Sequence, residues 1–499
     1  MMADATVKFF GDQVSLSSFY QDLFYTVGAA AVILVVLALG LVDTGLVRRK
    51  NVLDTWVQKL LAALIAGVGT LIAGFGIWEW QFYSALRVHN PLGQALQDWW
   101  IGGQFQTTLS QNINPKVLAG ADVQQIFLVF FVTFSMATVA LIHTGVIERM
   151  KPLPLYVMAL IIGLVLSPLV GYFCWGSVGP LTVHGTHDFD GVFGLYIFAG
   201  AWVAVLNWRL GPRRGAFAPD RSGTAPAAQN MGMAAAGVLL ILFALPFIAL
   251  ASGYATPGKG FFGISYTTSG WGIVLTNIFA AYFGGALSGA IIAYRRREPV
   301  WALLGPLAGA VINGTMFDIG LPWQVLVLSL FGPPVALGTE RVLRRLRIDD
   351  PKVIPLALGP GVVGAIATGV IKWHTKTGGL PGAVGKYALR HATITPWWQL
   401  FGVLVTIGLA VVPCLLLCLF FERTTGLRVS EEQELAGLDR TYWDTSNFGD
   451  EVLASADTGR VTADGANAHR ERNSSEPFPD EALELPDHQS WRSTPRQQP

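Results

Sequence analysis

The stretch HDFDGVFGLYIFAGAWVAVLNWRLGPRR, residues 187–214, decides what kind of molecule this is. It starts near Asp188 and ends on Arg209, Arg213 and Arg214. Between them lie roughly 20 mostly apolar residues, about what a helix needs to span a bilayer. Gly191, Gly194, Ala199, Gly200, Ala201 and Ala204 recur along it. Such small residues let helices approach closely in lipid. The stretch reads as a membrane helix buried among others, with an acid at one end and a basic anchor at the other.

The rest of the chain has a matching composition. Of 499 residues, 52% are hydrophobic and 13% charged, against roughly 25% charged in soluble domains. Fifty-six glycines suit tightly packed membrane helices. Cys174, Cys414 and Cys418 all sit in apolar runs and read as small hydrophobes, so neither a disulfide nor a metal site is expected. The first 24 residues lack a basic region followed by a short apolar core and cleavage site, so the first apolar segment is expected to stay. No nucleophile–base pair or metal-ligand set stands out, and the chain is read as a non-enzyme without cofactor or nucleic-acid partner.

Apolar segments fall near 22–43, 57–80, 124–147, 154–175, 191–210, 231–252, 272–294, 299–315, 323–343, 355–372 and 397–421. The expected fold is an all-α polytopic membrane protein of eleven transmembrane helices. Basic residues cluster after the odd-numbered segments: Arg48-Arg49-Lys50, Arg149 and Lys151, Arg209 to Arg221, Arg295-Arg296-Arg297, and Arg341 to Arg347. The positive-inside rule then places the N-terminus outside and the C-terminus in the cytoplasm of a multi-pass cell-membrane protein. Trp78, Trp80, Trp99 and Trp100 flank a long outer loop and read as a membrane-interface belt. The expected organisation is an extracellular segment 1–21, a transmembrane domain 22–421, a cytoplasmic regulatory tail 422–453 and a polar, disordered extension 454–499.

Several stretches, in order, resemble the ammonium transporter / methylammonium permease / Rhesus family. They are GLVRRKNVLDTWVQKLL (45–61), TFSMATVALIHTGVIERMK (133–151), the opening stretch with Asp188, Phe189, Gly191, Ala199 and Gly200, LRIDDP (346–351) and GLRVSEEQELAGLD (426–439). The resemblance implies an ammonium-transporter-like bundle assembling as a homotrimer with one pore per subunit. It implies an outer ion-recruitment site at Trp175, Ser252 and Asp188, and a gate at Phe134 and Ile248, with Phe247 one residue away. A cation held against aromatic faces gains up to about 2 kcal/mol when desolvated, which makes such a site reasonable. Read from the residues alone, Trp175 is equally an interface anchor, Phe134 a packing residue and Asp188 a helix cap.

At the pore midpoint the chain departs from the family pattern. The two positions where the family places facing histidines are occupied by Tyr196 and by Ala357, or by Leu358 if the alignment slips by one, and Phe198 stands in place of an asparagine. Histidine titrates near neutrality and relays protons, whereas tyrosine, with a pKa near 10, holds its proton at pH 7. An altered conduction mechanism is therefore expected. His143 is the lone histidine inside the third helix and reads as a residue bonded to a neighbour, with a pore role as the alternative. His184 and His187 are too few for a metal site. In the tail, Ser430 is expected to start a short acid-rich helix, and a PII-type signalling protein is the possible partner the resemblance suggests. The function expected is conduction of ammonium, ammonia or methylammonium. A transport-dead ammonium sensor or scaffold, or a channel for another small neutral solute, are the alternatives.

Overall fold

The computed structural model describes residues 16–107, 121–217, 229–256 and 260–444. The expected extension 454–499 and most of segment 1–21 lie outside the described residues. In chain order the bundle comprises α1 (Tyr20–Leu46), α2 (Arg49–Ala85), α3 (Val123–Val146), α4 (Pro152–Cys174), α5 (Val192–Leu210), α6 (Met231–Ala251), α7 (Trp271–Arg296), the shorter α8 (Val300–Val311), α9 (Pro322–Arg345), α10 (Ile354–Ile371) and α11 (Pro396–Arg423). Among the described residues ten of these are long and apolar enough to cross a membrane. The exception is α8, whose 12 residues reach only about 18 Å at 1.5 Å per residue. Past Val311 the chain continues in turns, so the expected count of eleven full spans is not met by length.

Local sequence sets the helix starts. Asn230 accepts the Met233 N–H at 3.0 Å to begin α6, and Thr395 accepts the Trp398 N–H at 3.2 Å to begin α11. Pro152, Pro322 and Pro396 occupy first-turn positions, where the missing N–H costs nothing. Two small-residue faces pack closely. Gly285 and Gly289 of α7 meet Gly305 and Gly309 of α8 so tightly that a Cβ on Gly285 would lie 2.3 Å from the Gly305 carbonyl oxygen.

Four helices each contain one widened π-type turn: Thr70–Gly74 in α2, Ile162–Leu166 in α4, Val192–Ile197 in α5 and Ile354–Leu358 in α10. Such turns recur at functional sites. The first two face each other, and Thr70 donates to the Gly163 carbonyl at 2.8 Å. The other two hold Tyr196 and Ala357.

Outside the bundle, antiparallel pairs Gly253–Thr256 with Gly260–Gly263, and Lys376–Thr377 with Ala392–Thr393, order two loops. The tryptophan belt needs correction. Trp100 is exposed, but Trp78 and Trp99 are buried among Phe75, Phe127 and Phe131, and Trp80 stacks on Tyr172. Helix α2 runs on to Ala85, and the helix Pro91–Trp99 folds back onto it, so these rings face protein. The three cysteines are buried and free, as expected.

Candidate functional site: an apolar cavity and its aromatic cap

A cavity of about 120 Å³ lies among α1, α3, α5, α6, α8 and α10. Leu39, Val42, Leu141, Leu245 and Ala310 help form its apolar wall, and its polar lining side chains are Thr144, Tyr196 and Lys352. Ala357 also lines it, so the two expected histidine positions, from different helices, face one space. Leu358 points elsewhere: its Cβ would lie 2.7 Å from a Cβ placed on Gly200, which marks it as an α5–α10 packing residue. Phe198 is buried beside Trp202, with ring centroids 5.6 Å apart.

The expected outer residues form a closed aromatic group. Trp175 is 1% exposed, with Phe127, Phe130 and Phe131 around it, and Phe134 stacks on its face at 5.1 Å and 12°. Its indole N–H donates to the Phe189 carbonyl at 3.1 Å, and its own carbonyl accepts from Trp78 Nε1 at 2.8 Å. Trp175 is therefore no interface anchor. Ile248 and Ala251 belong to the same cluster, which puts Ser252 at its edge. The Ser252 hydroxyl donates to the Ile248 carbonyl at 3.2 Å. Phe247 is partly exposed, whereas Ile248 is buried.

Asp188 caps α5. Its carboxylate accepts the Val192 and Phe193 N–H groups at 2.9 and 3.0 Å, satisfying donors a helix start leaves open. Burial pushes this carboxyl up to about 7, against the pull of those N–H groups and of His187. Two residues on, Asp190 is 4% exposed and its Oδ1 has no hydrogen-bond partner. Burial, with Asp188 beside it, raises Asp190 well above the ordinary carboxyl range.

Sequence reasoning considered His187 only as one of two histidines too few for a metal site. It is buried, with Nε2 3.0 Å from Asp318 Oδ1 and its backbone clamped by Gln399, which accepts at 2.8 Å and donates at 3.0 Å. Thr267 bonds the other Asp318 oxygen. The larger omission is an ion pair inside the bundle. Lys59 Nζ lies 2.9 Å from Asp43 Oδ2, with His143 Nδ1 at 3.9 Å from the same oxygen. Nδ1 of His143 has no hydrogen-bond partner. A lysine and an aspartate within apolar segments were the available signal. Both looked like segment ends until α2 was found to begin at Arg49.

At the end of the bundle carrying the basic clusters, charges pair densely. Glu148 accepts from Arg48 Nε at 3.0 Å and Asn51 Nδ2 at 2.6 Å, and lies 3.4 Å from Arg213 Nη1. Burial works against ionisation, but Arg213 and Arg48 overcome it and hold the carboxyl below its ordinary value. Burial likewise opposes Asp349, yet two bonds from Arg213, at 2.7 and 3.0 Å, bring it to about 2. Asp350 accepts the Ile354 N–H at 3.1 Å and so caps α10. Arg149 is fully buried, bonded to the carbonyls of Gly145, Gly211 and Asp349 and to Asn207.

The tail docks on this end. Ser430 accepts the Gln433 N–H at 3.2 Å and starts the helix Glu431–Ala436, as expected from its sequence. Glu434 bonds Arg428 at 2.7 Å and the Arg214 N–H at 2.7 Å. Beyond Gly437, Asp439 accepts the Leu53 and Asp54 N–H groups at 3.2 and 2.8 Å, and so caps the α-helical part of α2.

A multi-helix membrane bundle with a small, nearly apolar cavity among six of its helices and a separate buried aromatic group suits a membrane transport protein for a small solute. The family model described as Ammonium Transporter Family matches residues 23–448, and the chain belongs to that family. It is 27% identical over 437 residues to the ammonium transporter Amt1 of Methanocaldococcus jannaschii, covering 86% of this chain and 97% of the relative. It is 25% identical over 476 residues to the ammonium transporter of Mycobacterium tuberculosis, covering 89% and 94%. Among solved structures it resembles a sensor Amt protein at TM-score 0.65 and 19% identity, covering 86% of this chain and 99% of that one. It also resembles Mep2 of Candida albicans at TM-score 0.61 and 17% identity, covering 85% and 88%. These structural likenesses concern the fold.

Proposed function

We propose that this protein conducts ammonium across a membrane, the ion losing a proton at the wall of the apolar cavity and crossing it as ammonia. The observation that carries the reading is the cavity itself, where Tyr196 and Ala357 occupy the family's histidine positions amid an almost wholly apolar wall. A charged group at the centre of a bilayer costs about 2.5–3.5 kcal/mol or more, so such a wall favours the neutral form. In this reading Trp175, Ser252 and Asp188 recruit the cation, and Phe134 and Ile248 gate it. Because Phe134 covers the Trp175 face, recruitment requires that stack to open. Asp188 acts through its cap, holding the start of α5 in place.

The protein is a multi-pass membrane protein of a transporter family and acts without a chemical conversion of its solute beyond proton exchange. The charge asymmetry supports an N-terminus outside and a cytoplasmic tail. Family likeness supports a homotrimer, with a PII-type protein as a candidate partner at the docked tail. Purified protein in liposomes should accumulate labelled methylammonium, and excess ammonium should compete. Binding of methylammonium without uptake would replace transport by sensing.

A further inference from the structure

The geometry points to Asp43, Lys59, His143 and Thr144 as the proton-exchange site of the cavity, a role the Tyr196 and Ala357 positions cannot fill. This rests on the transport reading above.

Three helices contribute the cluster: Asp43 from α1, Lys59 from α2, His143 and Thr144 from α3. All four side chains are buried. Lys59 Nζ has three acceptors, the Ala140 carbonyl at 2.6 Å, Thr144 Oγ1 at 2.9 Å and Asp43 Oδ2 at 2.9 Å, which accounts for all three ammonium protons. Thr144 lies 3.3 Å from Asp43 Oδ2 and 3.2 Å from the Ala140 carbonyl. Two proton positions stay unfilled, Asp43 Oδ1 and His143 Nδ1.

Other buried atoms, Asp190 Oδ1 and Arg149 Nε among them, also lack partners, but these two belong to a cluster that includes a residue of the cavity wall. The cluster also reaches the passage, because Thr144 lines the cavity that Tyr196 and Ala357 line. The other ionisable groups on that wall are Tyr196 and Lys352, and Lys352 is engaged by Glu340 and lies over the Trp301 ring.

The exchange balances as follows. An N–H bond of ammonium at the cavity wall breaks, its electron pair remaining on the ammonia formed. The proton binds Thr144 Oγ1 while the hydroxyl's own proton passes to the Asp43 carboxylate. Asp43 becomes neutral, and Lys59 retains the positive charge that ammonium brought in. His143 Nδ1, facing Asp43 Oδ2 at 3.9 Å, is the second seat for the proton. The reverse transfer to ammonia further along the wall regenerates ammonium.

The test uses the full chain in proteoliposomes, reading the charge moved by an ammonium pulse against labelled methylammonium taken up. The double variant Asp43→Asn, Lys59→Met removes both charges together, so no lone ion is left buried. It should lower charge moved per solute by at least about tenfold, the scale of a lost proton-transfer group. His143→Gln keeps the ion pair and remains informative if the double variant does not fold. It should lower the same ratio by about tenfold. An unchanged ratio in folded variants overturns the proposal, and so does joint loss of current and uptake in folded protein, which would leave the cluster a mere brace. A parent protein with neither signal overturns the transport reading, and this site with it. A parent that moves both, with variants of unchanged ratio, overturns this site alone.

Discussion

Two neighbouring sites at and just beyond the C-terminal end of α3 handle buried charge differently. At Glu148 and Arg149 each charge has several partners, among Arg48, Arg213, Asn51 and Asp349 and carbonyls of neighbouring loops, although Arg149 Nε is left open. About one turn inside, Thr144 lines the cavity, and beside it lie one ion pair and two open polar atoms, Asp43 Oδ1 and His143 Nδ1. The first arrangement fixes structure, because a densely bonded network of paired charges favours one geometry. The second leaves room for a proton to arrive and depart.

The contrast breaks most easily at Glu148. Replacing it by alanine takes one carboxylate from Arg48 and Arg213, which keep Glu434 and Asp349, and leaves the buried Asn51 amide without its acceptor; it should cost about 3 kcal/mol, the upper range for an unsatisfied buried group. The loss is read as a lower detergent melting temperature than that of the double variant Asp43→Asn, Lys59→Met, which strands nothing. Equal losses would erase the distinction between the two regions.

The next effect is a pH dependence. Asp349 ionises at about 2 when folded, against an ordinary 3.8. A lowered carboxyl stabilises the folded state above pH 3.8 and loses that contribution as pH falls through 2. The amount is about 2 kcal/mol, from 1.36 kcal/mol per unit. Stability should therefore fall between pH 4 and pH 2 in the parent, and more gently in Asp349→Asn.

Smaller still, Asp439→Ala removes the cap that the tail places on α2 and should cost about 1 kcal/mol. Proteolysis of the tail should quicken while the bundle stays folded. The smallest effect belongs to the cavity: Tyr196→His should change the ammonium-driven current by less than about twofold, because Ala357 opposite offers no second nitrogen to relay a proton. Full family-like conduction from that single change would show that the proton path runs through Tyr196 after all.

How much of this was legible in the sequence follows from what each signal encodes. The α5 segment was readable because length and small-residue spacing are local properties, and so was the Ser430 cap. The facing of Tyr196 and Ala357 came from family likeness, and the cavity places both on one wall. The burial of Trp78 and Trp99 was misread, because a tryptophan near a segment end carries no mark of whether lipid or the fold-back of Pro91–Trp99 will cover it. Asp43 and Lys59 were passed over for a similar reason. Each sat at a presumed helix boundary, and only the continuation of α2 from Arg49 through Lys59 buries them against each other. Nothing in the local pattern around Asp190 reveals that its Oδ1 will lack a partner.

The most direct measurement is electrical. Reconstituted protein on a solid-supported membrane is given an ammonium pulse, and labelled methylammonium uptake is followed in the same preparation. A transient current together with uptake is expected, despite the missing histidine pair. Silence in both, with ammonium binding still detectable, would contradict transport and leave a protein that senses the ion without passing it.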